Sequence, residues 1–192
     1  GKSIKLKGGC IHHDNGILGA ASFYDAEYRK VKLHKDNGYN ALRLAHNPQS
    51  EQILDICDEL GMIVFDEAFD VWNLPKNSFD FSHQFAEDGI KDIEAMVRRD
   101  RNHPSIFFWT INNEMKFYDN DPDKDRAIKK MQIIEKVVKR MREVDPTRPI
   151  CFDSNYKRPE KRFGKDFFKT FDDGDIDDDH SYINWYDHTV FK

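Results

Sequence analysis

The sequence has 192 residues, 39% of them hydrophobic and 13% aromatic, which is enough apolar material for one domain with a real core. Its 15 Phe, 7 Tyr and 3 Trp exclude a disordered chain even though 34% of residues are charged. A formal net charge of −5 excludes a general nucleic-acid binder, which would carry a basic face, and no apolar run approaches the ~20 residues of a membrane-crossing helix.

The opening stretch GKSIKLKGG lacks the apolar centre of a signal peptide and starts close to a strand. That leaves upstream domains open, and with them the compartment, cytoplasmic or extracytoplasmic. Cys10, Cys57 and Cys151 are odd in number, far apart and set among apolar residues. They are expected to be buried free thiols rather than a disulfide or a metal set.

In chain order, residues 6–12 read as a strand and residues 23–37 as a helix that Gly38 ends. NALRLAH (40–46) is a second strand. Ser50 is placed to cap a helix in which Ile53, Ile56, Cys57 and Leu60 share one face, with Gly61 ending it. MIVFDEA (62–68) is the third strand, followed by a helix expected to bury Ala86, Ile90, Ile93 and Val97. SIFFWTIN forms the fourth strand within residues 105–114. Ala127, Met131, Ile134, Val138 and Met141 line a long helix that Pro146 and Pro149 stop. Residues 150–154 are a fifth strand, and a weaker sixth lies within 176–183.

Strands alternating with helices mean right-handed βαβ units and a parallel sheet covered by helices, so the fold class is α/β. An open doubly wound sheet would carry a glycine-rich phosphate loop at its first turn. Here that turn reads HHDNGILGAA, without G-x-G-x-x-G, and no Walker lysine motif occurs. Polar residues instead gather at the C-terminal strand ends: His12 and His13, Arg43 and His46, Asp66 and Glu67, Asn113 and Glu114, Asp153 and Asn155, His180 and Tyr182. A TIM barrel, (β/α)8, places its chemistry on that rim. With six strands counted against eight, residues 1–192 are expected to be a partial barrel lacking strands seven and eight.

Glu114 is the sharpest candidate for chemistry. It follows the apolar run 106–109 at the mouth of a buried strand, where a charge needs a reason. The bland alternative is a rim carboxylate paired with an arginine. A glycosidase needs one carboxyl group to protonate the leaving oxygen and a second to act on the anomeric carbon; in a retaining enzyme the two lie about 5 Å apart. Asn113 is placed to hold the sugar hydroxyl beside the reacting carbon.

These strings resemble glycoside hydrolase family 2, the family of β-galactosidases, β-glucuronidases and β-mannosidases. The resemblance is carried by KGGCIHHDNGILGAA, DNGYNALRLAHNP, LDICDELGMIVFDEAFDVW and MVRRDRNHPSIFFWTINNE, then by DPTRP at 145–149 and more weakly by DHSYINWY at 179–186. It implies that Glu114 is the acid/base and that the nucleophile is a glutamate on strand seven, beyond Lys192. It also implies sugar-site roles for His12, His46 and Asn113. Arg43 resembles the arginine that supports the nucleophile, and Tyr182 the tyrosine that hydrogen-bonds it. Trp72, Trp185 and Tyr186 are looser matches, as platforms for a pyranose face. Flanking β-sandwich domains are usual in the family.

Two departures stand out. Many members read W-S-x-G-N-E, whereas Asn112 here replaces the glycine; NNE is closer to β-mannosidases, HHDNGILGAA to β-galactosidases. Magnesium-dependent members carry Glu and His after DEA, where this chain has Val71 and Asn73, so no metal or other cofactor is expected.

The remaining charged stretches have plainer readings. His12 and His13 point to opposite faces of a strand and are poor joint metal ligands. Of Asp66 and Glu67 only one can face the barrel mouth, and either could pair with Arg43. Arg98, Arg99, Asp100, Arg101, Asn102 and His103 form a structural helix end. DDGDIDDD (172–179) lacks the EF-hand spacing and is expected to be a solvated loop. The basic stretch 157–169 is a surface connection able to shape the substrate mouth.

The expected activity is therefore retaining hydrolysis of a terminal β-linked sugar, β-galactoside first, β-mannoside or β-glucuronide second. The chain by itself is expected to be inactive, because half the carboxylate pair is missing. The competing reading is a carbohydrate-binding relative without catalysis.

Overall fold

A computed structural model describes residues 2–115 and 124–152, with residues 164, 166, 170–172, 174–176, 178 and 180. Five parallel strands form one sheet in sequence order: β1 (Gly8–Ile11), β2 (Ala41–Leu44), β3 (Ile63–Phe69), β4 (Ile106–Asn112) and β5 (Ile150–Cys151). Four helices connect them: α1 (Tyr24–Asp36), α2 (Glu51–Leu60), α3 (Phe85–Asp100) and α4 (Lys124–Val144). Ile176 continues the sheet by a parallel bridge to Cys151, where the sixth strand is expected. Five strands side by side in chain order, the first four each followed by a helix, are successive βα units of a barrel wall.

Side-chain alternation along the strands creates two environments. Leu42 and Leu44 of β2 and Val64 and Ala68 of β3 point toward the helices and are 0% exposed. There they meet Ile53, Leu54, Ile56 and Cys57 of α2, Ile93 and Val97 of α3, and Met131, Ile134, Val138 and Met141 of α4. Each such side chain contributes about 1.5–3 kcal/mol by leaving water. The intervening residues Cys10, Arg43, Phe65, Phe108, Thr110 and Cys151 turn the other way and line an interior cavity of about 300 Å³. One glycine is fixed by the pairing of β1 on β2: a Cβ at Gly8 would lie 2.4 Å from the Ala41 carbonyl oxygen.

Three local expectations are corrected. Ser50 sits at the start of α2, yet its hydroxyl does not cap the helix and instead accepts a hydrogen bond from Ser22 at 2.7 Å. The buried stripe of α3 is Phe85, Gly89, Ile93, Met96 and Val97, while Ala86 and Ile90 face outward. Phe85 decides that rotation, because its ring packs against Phe69, Phe81 and Trp72. Cys57 and Cys151 are buried free thiols, but Cys10 is exposed, because it points into the interior cavity rather than toward the helices.

The other end of the barrel wall is closed by polar clips. Asp58 of α2 accepts from the Ser105 backbone N–H at 2.8 Å and pairs with His103 Nδ1 at 2.7 Å. Arg148 donates to the carbonyls of Arg101, Ile106 and His103, and Arg101 to that of Val144. The cationic run at the end of α3 thus has a structural role. Asp172 and Asp175, part of the acidic run, are held by Arg142 of α4.

Candidate active site

The C-terminal strand ends place Arg43, His46, Glu67, Asn113, Glu114 and His180 around one opening. Glu67 and its neighbour Asp66 show how strand parity sorts them. Asp66 faces α3, is 0% exposed, and has its carboxyl raised well above the usual range, first by burial and then by Asp100 beside it. Glu67 faces the interior, where both oxygens are engaged: Oε2 accepts from Arg43 Nε at 2.6 Å, and Oε1 pairs with His46 Nδ1 at 2.6 Å. Glu67 is therefore the partner of Arg43. Burial alone would weaken the arginine's hold on its proton, but the Glu67 charge overrides it and keeps Arg43 above its ordinary value.

Arg43 links Glu67 to the Asn113–Glu114 pair. Its Nη2 donates to Asn113 Oδ1 at 3.1 Å, and Asn113 Nδ2 donates to Asp70 Oδ1 at 2.9 Å. The Asn113 carbonyl accepts from Lys76 Nζ, which also pairs with Asp70, both at 2.7 Å. Asp70 lies below the usual carboxylate range: burial acts against this, and the hydrogen bonds from Lys76 and Asn113 outweigh it. Neither Asp70 nor Lys76 was legible as part of this network from the sequence, because the loop after β3 follows no period.

Glu114 follows the end of β4 with φ +43°, the left-handed backbone region, the only non-glycine residue there among those described. Its side chain is 23% exposed and its Oε1 pairs with His180 Nδ1 at 2.9 Å. His12 sits across the opening with its ring edge-to-face on His46, centroids 4.9 Å apart. Burial first, and His46 next, lower its affinity for a proton. His13 turns away, within 3.5 Å of the Asn47 carbonyl, so the two adjacent histidines do not share a site.

Trp72 departs from its expected position. It is 3% exposed, stacked on Phe85 at 4.6 Å, with Phe152 edge-on, so the indole is part of the core and offers no open face to a sugar. Packing against α3 draws it in. Asn112, in the glycine position of the W-S-x-G-N-E pattern, is 1% exposed, and neither end of its carboxamide has a hydrogen-bond partner among the described residues. Val71 is buried at 4% exposure and Asn73 exposed, and neither residue type is a carboxylate or imidazole. Tyr182, Trp185, Tyr186, Asp153 and Asn155 lie outside the described residues.

The arrangement can donate a proton from Glu114, hold sugar hydroxyls through Asn113 and the two imidazoles, and keep Arg43 charged beside them. Comparisons with known proteins identify the family. The family model for glycosyl hydrolases family 2, TIM barrel domain, matches residues 1–189. The chain is 44% identical over 115 residues to the β-galactosidase BoGH2A of Bacteroides ovatus, covering 60% of this chain and 14% of that protein. It is 28% identical over 188 residues to the β-glucuronidase of Sus scrofa, covering 97% of this chain and 26% of that protein. A solved glycosyl hydrolase family 2 member from Bacteroides cellulosilyticus superposes with a TM-score of 0.72 at 42% identity, over 90% of this chain and 21% of that one. The chain thus spans roughly a seventh to a quarter of the length of these relatives.

Proposed function

The chain belongs to glycosyl hydrolase family 2, as part of its TIM-barrel domain, and from that premise we propose that the protein carrying it is a retaining β-glycosidase with Glu114 as acid/base. One observation carries the reading: Glu114 stands at the strand-end opening beside Asn113, with Arg43, Glu67 and His46 converging on the same space.

In the first half-reaction Glu114 gives its proton to the glycosidic oxygen as the bond from that oxygen to the anomeric carbon breaks. A carboxylate nucleophile, expected on the seventh strand and outside this sequence, bonds to the same carbon. In the second, the Glu114 carboxylate takes a proton from the water that attacks the anomeric carbon, and the nucleophile leaves. Asn113, oriented by Arg43 and Asp70, is placed to bind a sugar hydroxyl, as are His12 and His46. Arg43, charged through Glu67, supports the nucleophile. Tyr182 and Trp185 are proposed as further substrate contacts, and flanking β-sandwich domains as part of the whole protein.

The proposed substrate is a terminal β-galactoside. A β-glucuronide or β-mannoside is the second reading, favoured by the β-glucuronidases among the relatives and by the Asn112–Asn113–Glu114 string. In the full-length protein, Glu114→Gln is expected to lower hydrolysis of nitrophenyl β-galactoside by about 10²–10⁴-fold, the range general acid–base catalysis supplies. Added azide should restore turnover by replacing the water. A near-normal rate, or a loss that azide leaves unchanged, would overturn the assignment.

A further inference from the structure

Glu114 lies two residues past the end of β4 at Asn112, and φ +43° places it in a region costly to a side-chain-bearing residue. A glutamate also has three side-chain torsions, and fixing such a side chain costs rotamer freedom. Displacing a proton donor by ~1 Å can cost about 10²-fold in rate. Something outside β4 must therefore hold the carboxyl.

The segment after β5 supplies the holder. Ile176 bridges to Cys151 of β5, and Ile176, Asp178 and His180, spaced by two, all line the interior cavity. His180 Nδ1 lies 2.9 Å from Glu114 Oε1, and His180 Nε2 lies 3.1 Å from Asp178 Oδ2. An ionised aspartate can only accept, so Asp178 makes Nε2 the protonated nitrogen. Nδ1 then faces Glu114 and can accept the carboxyl proton; toward a Glu114 carboxylate it can donate only when both ring nitrogens carry protons. Among the described residues the other charged group on the ring is Arg43, whose Nη1 is 3.4 Å from Nε2. Two donors cannot bond each other, so Asp178, the nearer of the two, sets the tautomer.

We propose that His180, oriented by Asp178, is the positioning residue for Glu114: it fixes the carboxyl through Oε1 in both half-reactions. This inference rests on the acid/base reading of Glu114. It does not make His180 a catalytic residue, since its contacts are with Glu114, Asp178 and Arg43. The interaction reaches from the segment after β5 to the end of β4, 66 residues apart in sequence.

The test compares leaving groups in the full-length protein, because a donor's placement matters only where the departing oxygen needs its proton. His180→Phe is expected to lower kcat/KM for phenyl β-galactoside about 10–100-fold while changing the 2,4-dinitrophenyl substrate less than about 3-fold, the pattern of impaired acid catalysis. His180→Asn, which keeps a hydrogen-bonding group near the Nδ1 position, should recover most of the phenyl-substrate loss. Asp178→Asn, a milder change, should show a smaller loss with the same leaving-group dependence, and serves if the Phe variant does not fold. Equal losses on both substrates, no loss on either, or an Asn variant as impaired as the Phe variant would each overturn the inference. Glu114→Gln run alongside separates the two claims. If it responds to azide while the His180 and Asp178 variants behave like the parent, only the positioning role falls. If it fails too, the acid/base reading has failed first.

Discussion

Replacing Glu67 by Gln should be among the most damaging single changes of one atom in this barrel wall. Glu67 is 0% exposed, and its two oxygens meet Arg43 and His46, each at 2.6 Å. A carboxamide keeps one acceptor but turns a donor toward either Arg43 or His46, which are themselves donors there. The Arg43 guanidinium, with only 15% side-chain exposure, would keep its charge and lose its counter-charge. Removing one partner of a buried pair typically costs about 3–5 kcal/mol, a large part of the roughly 5–15 kcal/mol that stabilises a domain. Urea unfolding followed by tryptophan fluorescence suits the measurement, since Trp109 is fully buried behind β4 and reports loss of the core. A double-mutant cycle with Arg43→Met and Glu67→Leu isolates the pair: the double variant should be less damaged than the sum of the singles. A cost below about 1 kcal/mol for Glu67→Gln, or strict additivity in the cycle, would show that the pair is not the keystone described here.

Two further outcomes are expected. Asp145 sits at about 2: burial opposes this, and hydrogen bonds from the Thr147 hydroxyl and backbone N–H, from Arg148 and from Trp109 outweigh it. Because its proton affinity is lower folded than unfolded, the stability it contributes is present above its ordinary 3.8 and is lost as pH falls from there toward 2. Asp145→Asn should flatten that part of a pH–stability curve, and an unchanged slope would count against the hub. Gly8→Ala should destabilise by about 1–3 kcal/mol, because its Cβ meets the Ala41 carbonyl, whereas Gly9→Ala, with open space around it, should change thermal stability little. Equal effects at the two glycines would refute the close approach of β1 to β2.

Much of the fold was legible because apolar period and punctuation are local properties. Leu42 and Leu44 alternating with Arg43 announce a strand with one face buried and one face polar. Ile53, Ile56 and Cys57 followed by Gly61 announce a helix with a left-handed end, and the structure gives Gly61 φ +65°. The local signals failed where two patterns competed. Ala86 and Ile90 fit a helical stripe as well as Phe85 and Gly89 do, and only the aromatic cluster around Phe69 selects between them. Trp72 looked like a sugar platform for the same reason: a tryptophan near a strand end carries no mark of whether its ring turns inward.

Local order along the chain determined which residues are chemically able to act, and that a carboxylate follows the fourth strand. It could not determine pairings, because those depend on distances between residues far apart in sequence. Asp66 and Glu67 have equivalent side chains, yet register with Arg43 on one side and with α3 on the other raises the carboxyl of one by burial and makes the other the partner of Arg43 and His46. Likewise His180 became the neighbour of Glu114 only when the segment after β5 took its place in the barrel wall beside β5. Periodicity is written residue by residue; electrostatic partnership arises only once the strands stand side by side.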